Sequence, residues 1–139
     1  MPTSRTRAAN RVLWTAQVLV ALLFLFAGSM KFIMPAEKMQ QGPIVFPLAF
    51  MYFIGICECL GALGLILPAA TRIRTGLTPL AAACLTVIMI GATTVTVLTM
   101  GVVPAIFPAV VGVITAAIAY GRTRVAPRAE ARRRAFRTA

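Results

Sequence analysis

The sequence has no histidine, and its only acidic residues are Glu37, Glu58 and Glu130. Acid–base catalysis near neutral pH draws most often on histidine, and conventional metal cages need clustered His, Cys and carboxylate ligands. Cys and Glu alone do not make such a cage, so no metal is expected. A Cys-X-X-Cys pair, a glycine-rich phosphate loop and a Ser–His arrangement are also missing. These absences exclude the soluble enzyme chemistries that rest on them. Charge is scarce as well: 12% of the 139 residues are charged and 60% are hydrophobic. That is too little polarity to cover a soluble domain of this size.

What is present is a series of four apolar runs, at about 12–33, 47–67, 76–98 and 103–120. Each is close to the length of about 20 residues that carries a helix across a bilayer. The sequence therefore predicts an all-α, membrane-embedded four-helix bundle over 12–121, with a basic arm at 1–11 and an arginine-rich tail at 122–139. The basic start and the small residues Ala27, Gly28 and Ser29 also resemble a secretory leader. Apolar character continues through Phe32, Ile33 and Met34, which favours a retained span. Pro79 falls in the first turn of the third run, where a missing N–H costs least. Gly101 precedes the fourth run, so the last two helices are expected to form an antiparallel hairpin.

The net charge of +11 does not imply nucleic-acid binding, because the basic residues lie outside the apolar runs and are not interleaved with stacking aromatics. They mark topology instead. Arg5, Arg7 and Arg11 precede the first run, Arg72 and Arg74 lie between the second and third, and Arg122, Arg124 and the tail arginines follow the fourth. Short basic loops are retained in the cytoplasm. Both termini are therefore expected to be cytoplasmic, in a multi-pass protein of the bacterial inner membrane.

Glu58 lies inside the second run, where a carboxylate costs about 2.5–3.5 kcal/mol on the insertion scale and is rarely kept without a use. Its helical neighbours include Gly55, Gly61, Ala62 and Leu65, a small-residue face suited to close helix packing, with Gly28 and Gly64 as further packing glycines. In such a site Glu58 can remain neutral and donate a hydrogen bond, or act as a candidate proton acceptor. Lys31 is the obvious partner, and the two form a candidate binding pair. Counted from the span ends, however, their Cα depths differ by about 10 Å. A dipping loop, a bridging water or ligand, or a lysine that snorkels to the headgroups would each accommodate that gap.

Gln17 is a further polar group in the first run, and Thr86, Thr93, Thr94, Thr96 and Thr99 enrich the third. Such threonines usually bond their own backbone or a neighbouring helix. Cys57 and Cys59 flank Glu58 but point about 160° apart on a helix, too divergent to bridge each other.

Two motifs carry a family resemblance. Ala27-Gly28-Ser29-Met30-Lys31-Phe32, with Pro35 after it, ends the first helix, and Glu58-Cys59-Leu60-Gly61-Ala62-Leu63-Gly64-Leu65-Ile66-Leu67-Pro68 fills the second. With Arg72, Gly91-Ala92 and the proline-led fourth helix, they resemble the DoxX-like family of small bacterial membrane proteins over about residues 12–122. That family is similar to a subunit of thiosulfate:quinone oxidoreductase, and related members are associated with membrane redox complexes. The resemblance implies a four-helix bundle, suggests a redox or quinone-linked setting, and carries over Lys31 and Glu58 as its polar site; no covalently bound cofactor is expected, and quinone is the candidate cofactor. Many members carry a histidine late in the third helix, where this chain has Thr96 or a neighbour. Three functions fit these residues: an accessory or subunit of a quinone-linked membrane oxidoreductase, a proton-coupled transporter or permeability module, and a non-catalytic scaffold. A membrane oxidoreductase or a second copy of the chain is the expected protein partner.

Overall fold

The structure, a computed structural model, describes the backbone of residues 4–137 and the side chains of residues 7–124 and 135. The elements are α1 (Ser4–Ile33), α2 (Ala36–Met39), α3 (Leu48–Thr71), α4 (Leu77–Met100) and α5 (Val102–Arg137). Four of them carry stretches long and apolar enough to cross a membrane: Arg7–Ile33, Leu48–Thr71, Leu77–Met100 and Val102–Arg124. With no water in the hydrocarbon core, backbone N–H and C=O groups must bond internally, which favours unbroken helices at these lengths. The helix α5 does not stop where its apolar run ends, and its backbone stays helical through the arginine-rich stretch to Arg137.

Local signals set the helix ends. Pro47, at φ −53°, caps α3 at its start. At the other end of α3, Arg72 adopts a left-handed conformation at φ 59°, and the chain turns toward α4 through Arg74, also left-handed at φ 48°. Between α4 and α5 only Gly101 intervenes, at φ 92°, a conformation that only glycine adopts without strain.

The spanning helices pack in a ring, α1 on α3, α3 on α4 and α4 on α5, and α1 and α5 meet along the sparsest seam. This order puts the start of α1, the Arg72–Arg74 loop and Arg122 at one end of the bundle, called here the basic end. The α2 loop and Gly101 lie at the far end. The core is formed by Val20, Phe24, Ala62, Leu65, Ala82, Leu85, Met89, Val111 and Ile118. Large apolar side chains such as Leu22, Phe26, Phe53, Leu60, Val87, Ile90, Phe107 and Val113 point outward. In water such a surface would drive aggregation; in lipid it is the appropriate solvent face.

Lipid supplies no hydrophobic drive between helices, so close van der Waals contact has to hold the bundle. Small residues provide it. A Cβ at Gly61 would lie 2.6 Å from Leu85 Cδ2, one at Gly64 2.8 Å from Ala81 Cβ, and one at Gly112 3.1 Å from Met89 Cβ. Gly91 differs, because a Cβ there meets nothing within 4 Å. Gly91→Ala is therefore expected to stabilise α4 by about 0.5–1 kcal/mol through helix propensity alone. A thermal melt in detergent checks this, and a lower melting temperature would contradict it.

Candidate membrane site

Lys31 Nζ donates to Glu58 Oε2 at 2.6 Å. The Glu58 side chain is 5% exposed and that of Lys31 21%, so the carboxylate is enclosed while the ammonium stem reaches the bundle surface. Glu58 lies on the buried face of α3 with Gly55, Gly61, Ala62, Leu65 and Pro68. This is the pair whose depths, counted from the span ends, did not match.

Helix register and side-chain direction close the gap. A Cβ on Gly28 would lie 2.9 Å from the Gly55 carbonyl oxygen and 3.2 Å from Glu58 Cβ, and one on Gly55 would lie 3.2 Å from the Gly28 oxygen and 3.3 Å from Lys31 Cβ. These contacts place Lys31 roughly level with Ile54, about 6 Å along the axis from Glu58. The helix α3 therefore stands about one turn beyond the end of α1 at the far end, and the loop with α2 spans the step. Side chains also tilt toward the N-terminus of their own helix. In this antiparallel pair Lys31 leans toward the bundle middle and Glu58 toward the far end, so the two meet. Lysine snorkelling away from Glu58 is not what the structure adopts.

The surroundings of the pair are tight and partly aromatic. Phe32 stacks on Tyr52 with centroids 5.7 Å apart, and the Phe32 ring also lies against Gly55. Cys59 Sγ lies 2.7 Å from where a Gly28 Cβ would be, which puts a free thiol beside the carboxylate on the α1–α3 interface. Cys57 and Cys84 are free as well, and among the described residues no three His, Cys, Asp or Glu side chains gather as metal ligands.

A second polar cluster lies toward the basic end. Gln17, fully buried, donates from Nε2 to the Leu65 carbonyl at 2.6 Å and accepts from Arg122 Nε at 2.5 Å. Pro68 in the last turns of α3 lacks the N–H that would bond the Gly64 carbonyl, so the backbone is already loosened beside the carbonyl that Gln17 takes. Arg122 also donates from Nη1 to Asn10 Oδ1 at 3.2 Å and lies over the Trp14 ring, 5.3 Å from its centroid. Sequence reasoning placed Gln17 but counted Arg122 only as a topological charge. The available signal was its position one turn beyond the core residue Ile118.

An apolar layer separates the two clusters. Glu58 and Leu65 are seven residues apart on one face of α3, about 10 Å along the helix, and Phe24, Ala62, Leu65 and Leu85 are all buried there. On α4, Thr93, Thr94, Thr96 and Thr99 each donate to the carbonyl four residues back. Thr86 does the same and also bonds Thr115 on α5 at 2.9 Å.

The DoxX-like family model matches residues 15–118, three quarters of the chain and all of the Lys31–Glu58 geometry just described. The chain belongs to the DoxX-like family. No curated protein and no solved structure matches it. The family region of this DoxX-like protein includes Gln17, Lys31 and Glu58 and ends short of Arg122. A shallow groove of about 560 Å³ lies between α4 and α5, lined by Met89, Ile90, Val97 and Val113 among others, and reaches neither charged member of the pair.

Proposed function

We propose that this DoxX-like membrane protein is an accessory subunit of a quinone-linked oxidoreductase, and that Lys31 and Glu58 form its headgroup and proton site. The supporting observation is the 2.6 Å ion pair, enclosed on the Glu58 side and open on the Lys31 side. In this reading Lys31 donates a hydrogen bond to a quinone carbonyl at the bundle surface, beside the Phe32–Tyr52 stack. Glu58 takes a proton from the aqueous far end and hands it to the ring oxygen held by Lys31, while a partner oxidoreductase supplies the two electrons and the proton for the other ring oxygen. A quinone, being itself lipid-soluble, reaches such a site laterally.

The distribution of basic residues supports a cytoplasmic basic end and residence in the inner membrane. Proton-coupled transport is the competing reading, and the buried apolar side chains Phe24, Ala62, Leu65 and Leu85, which lie between Glu58 and Gln17, count against it. The test is binding of a short-chain ubiquinone to the purified protein, with Glu58→Gln and Lys31→Gln compared to the parent. Loss of about tenfold in affinity in each variant is expected, the equivalent of one charge-assisted hydrogen bond. Unchanged quinone binding in both variants would overturn the proposal.

A further inference from the structure

At the basic end, the guanidinium of Arg122 is fixed on three sides and incomplete on the fourth. Nε is held by Gln17, Nη1 by Asn10 and the guanidinium by Trp14, yet Nη2 is buried without a hydrogen-bond partner. Both fixing acceptors are neutral amides. Among the described residues, Glu58 is paired with Lys31 and Glu37 lies in α2 at the far end, so no carboxylate faces Arg122. A buried N–H without an acceptor is costly, since its hydration is lost and nothing replaces it.

A second unpartnered donor lies at the same level. Thr78 Oγ1 is buried and has no partner, and the Thr78 residue is 1% exposed. The Thr86–Thr115 bond and the Met89–Gly112 contact fix the antiparallel register of α4 and α5, which places Thr78 level with Thr123, next to Arg122. Arg122 also closes the basic end of the sparsely packed α1–α5 seam, where Leu13 lies against Gly121.

We propose that Arg122 is a binding site for the phosphate of an anionic phospholipid, with the acyl chains along the α1–α5 seam and Thr78 contributing a second donor. Three features fit this ligand. The site lies at headgroup depth at the end of the apolar span, Trp14 is a side chain that favours this interface, and the remaining guanidinium edge suits a phosphate oxygen. Arg72, Arg74 and Arg124 at the same end add attraction for negative charge.

The test titrates phosphatidylglycerol, phosphatidylcholine and inorganic phosphate separately against the purified full chain in detergent, reading the shift in melting temperature and bound lipid by native mass spectrometry. Arg122→Lys is the key variant, since it keeps the net charge of +11 and removes only the planar donor set. Phosphatidylglycerol is expected to stabilise the parent, and its apparent affinity to fall about tenfold in Arg122→Lys and about threefold in Thr78→Val. Thr78→Val also serves if Arg122→Lys does not fold. In the absence of a bound phosphate, valine would only relieve an unpaired hydroxyl and leave lipid affinity unchanged, which overturns the proposal. Equal affinity in Arg122→Lys, an equal response to phosphatidylcholine, or saturation by inorganic phosphate alone would overturn it too.

Discussion

Lys31→Met is expected to lower the unfolding free energy of the bundle by about 3–5 kcal/mol, because it leaves the Glu58 carboxylate enclosed and uncompensated. The double substitution Lys31→Met with Glu58→Leu is expected to cost far less, since two apolar side chains then replace two charges in an apolar setting. Removing one partner exposes the desolvation penalty of the other, whereas removing both abolishes the penalty along with the attraction. Unfolding in a graded detergent mixture, followed by far-UV circular dichroism on the parent, the two single variants and the double, gives the full cycle. A coupling energy near zero would mean that the 2.6 Å contact contributes nothing to holding α1 on α3. The same cycle separates stability from function. A scaffold role predicts that the double variant keeps all cellular activity, whereas a headgroup and proton site predicts that it folds and is inactive.

Gly28→Val is expected to separate α1 from α3 and to break the ion pair without touching either charge. The obstruction is largely backbone: even the Cβ would approach the Gly55 carbonyl oxygen to 2.9 Å, besides Cys59 Sγ at 2.7 Å, and a carbonyl in a helix cannot move aside as a side-chain tip can. Overpacking of this kind typically costs about 1–3 kcal/mol, and loss of the charge contact adds to it. Disulfide trapping between cysteines placed at Phe32 and Tyr52, whose rings stack across this interface, in a background with Cys57, Cys59 and Cys84 replaced by serine, would report the separation directly, with slower trapping expected in Gly28→Val. Unchanged trapping together with an unchanged melting temperature would show that the glycine contact is not what sets the helix spacing. Gly91→Ala, where a Cβ meets no neighbour, is the matched control.

Much of the candidate site was legible from single residues. A carboxylate inside an apolar run is conspicuous, and the glycines and alanine spaced around Glu58 at helical intervals marked its face as the packed one. Lys31 was equally visible as a charge near the end of a span. Their direct contact was not, because the depth of one helix relative to another is a non-local quantity. Counting from span ends assumes that the ends are level, and here α3 stands about one turn beyond α1. Arg122 went unread for a related reason. A basic residue just past a span looks like every other topological charge until the neighbouring helix presents Asn10, Trp14 and Gln17 to it.

The sequence by itself determined the four spans, their order and the placement of charge at alternate connections, because hydrophobic length and local composition decide how each segment meets a bilayer. Only the tertiary structure decided which polar groups meet. The close Gly28–Gly55 approach sets the register that joins Lys31 to Glu58, and the α1–α5 contact gathers Gln17 and Arg122 on the other side of an apolar layer. Apolar segments tolerate many relative shifts in lipid with little change in solvation, so the choice among them falls to interhelical contacts between residues far apart in the chain.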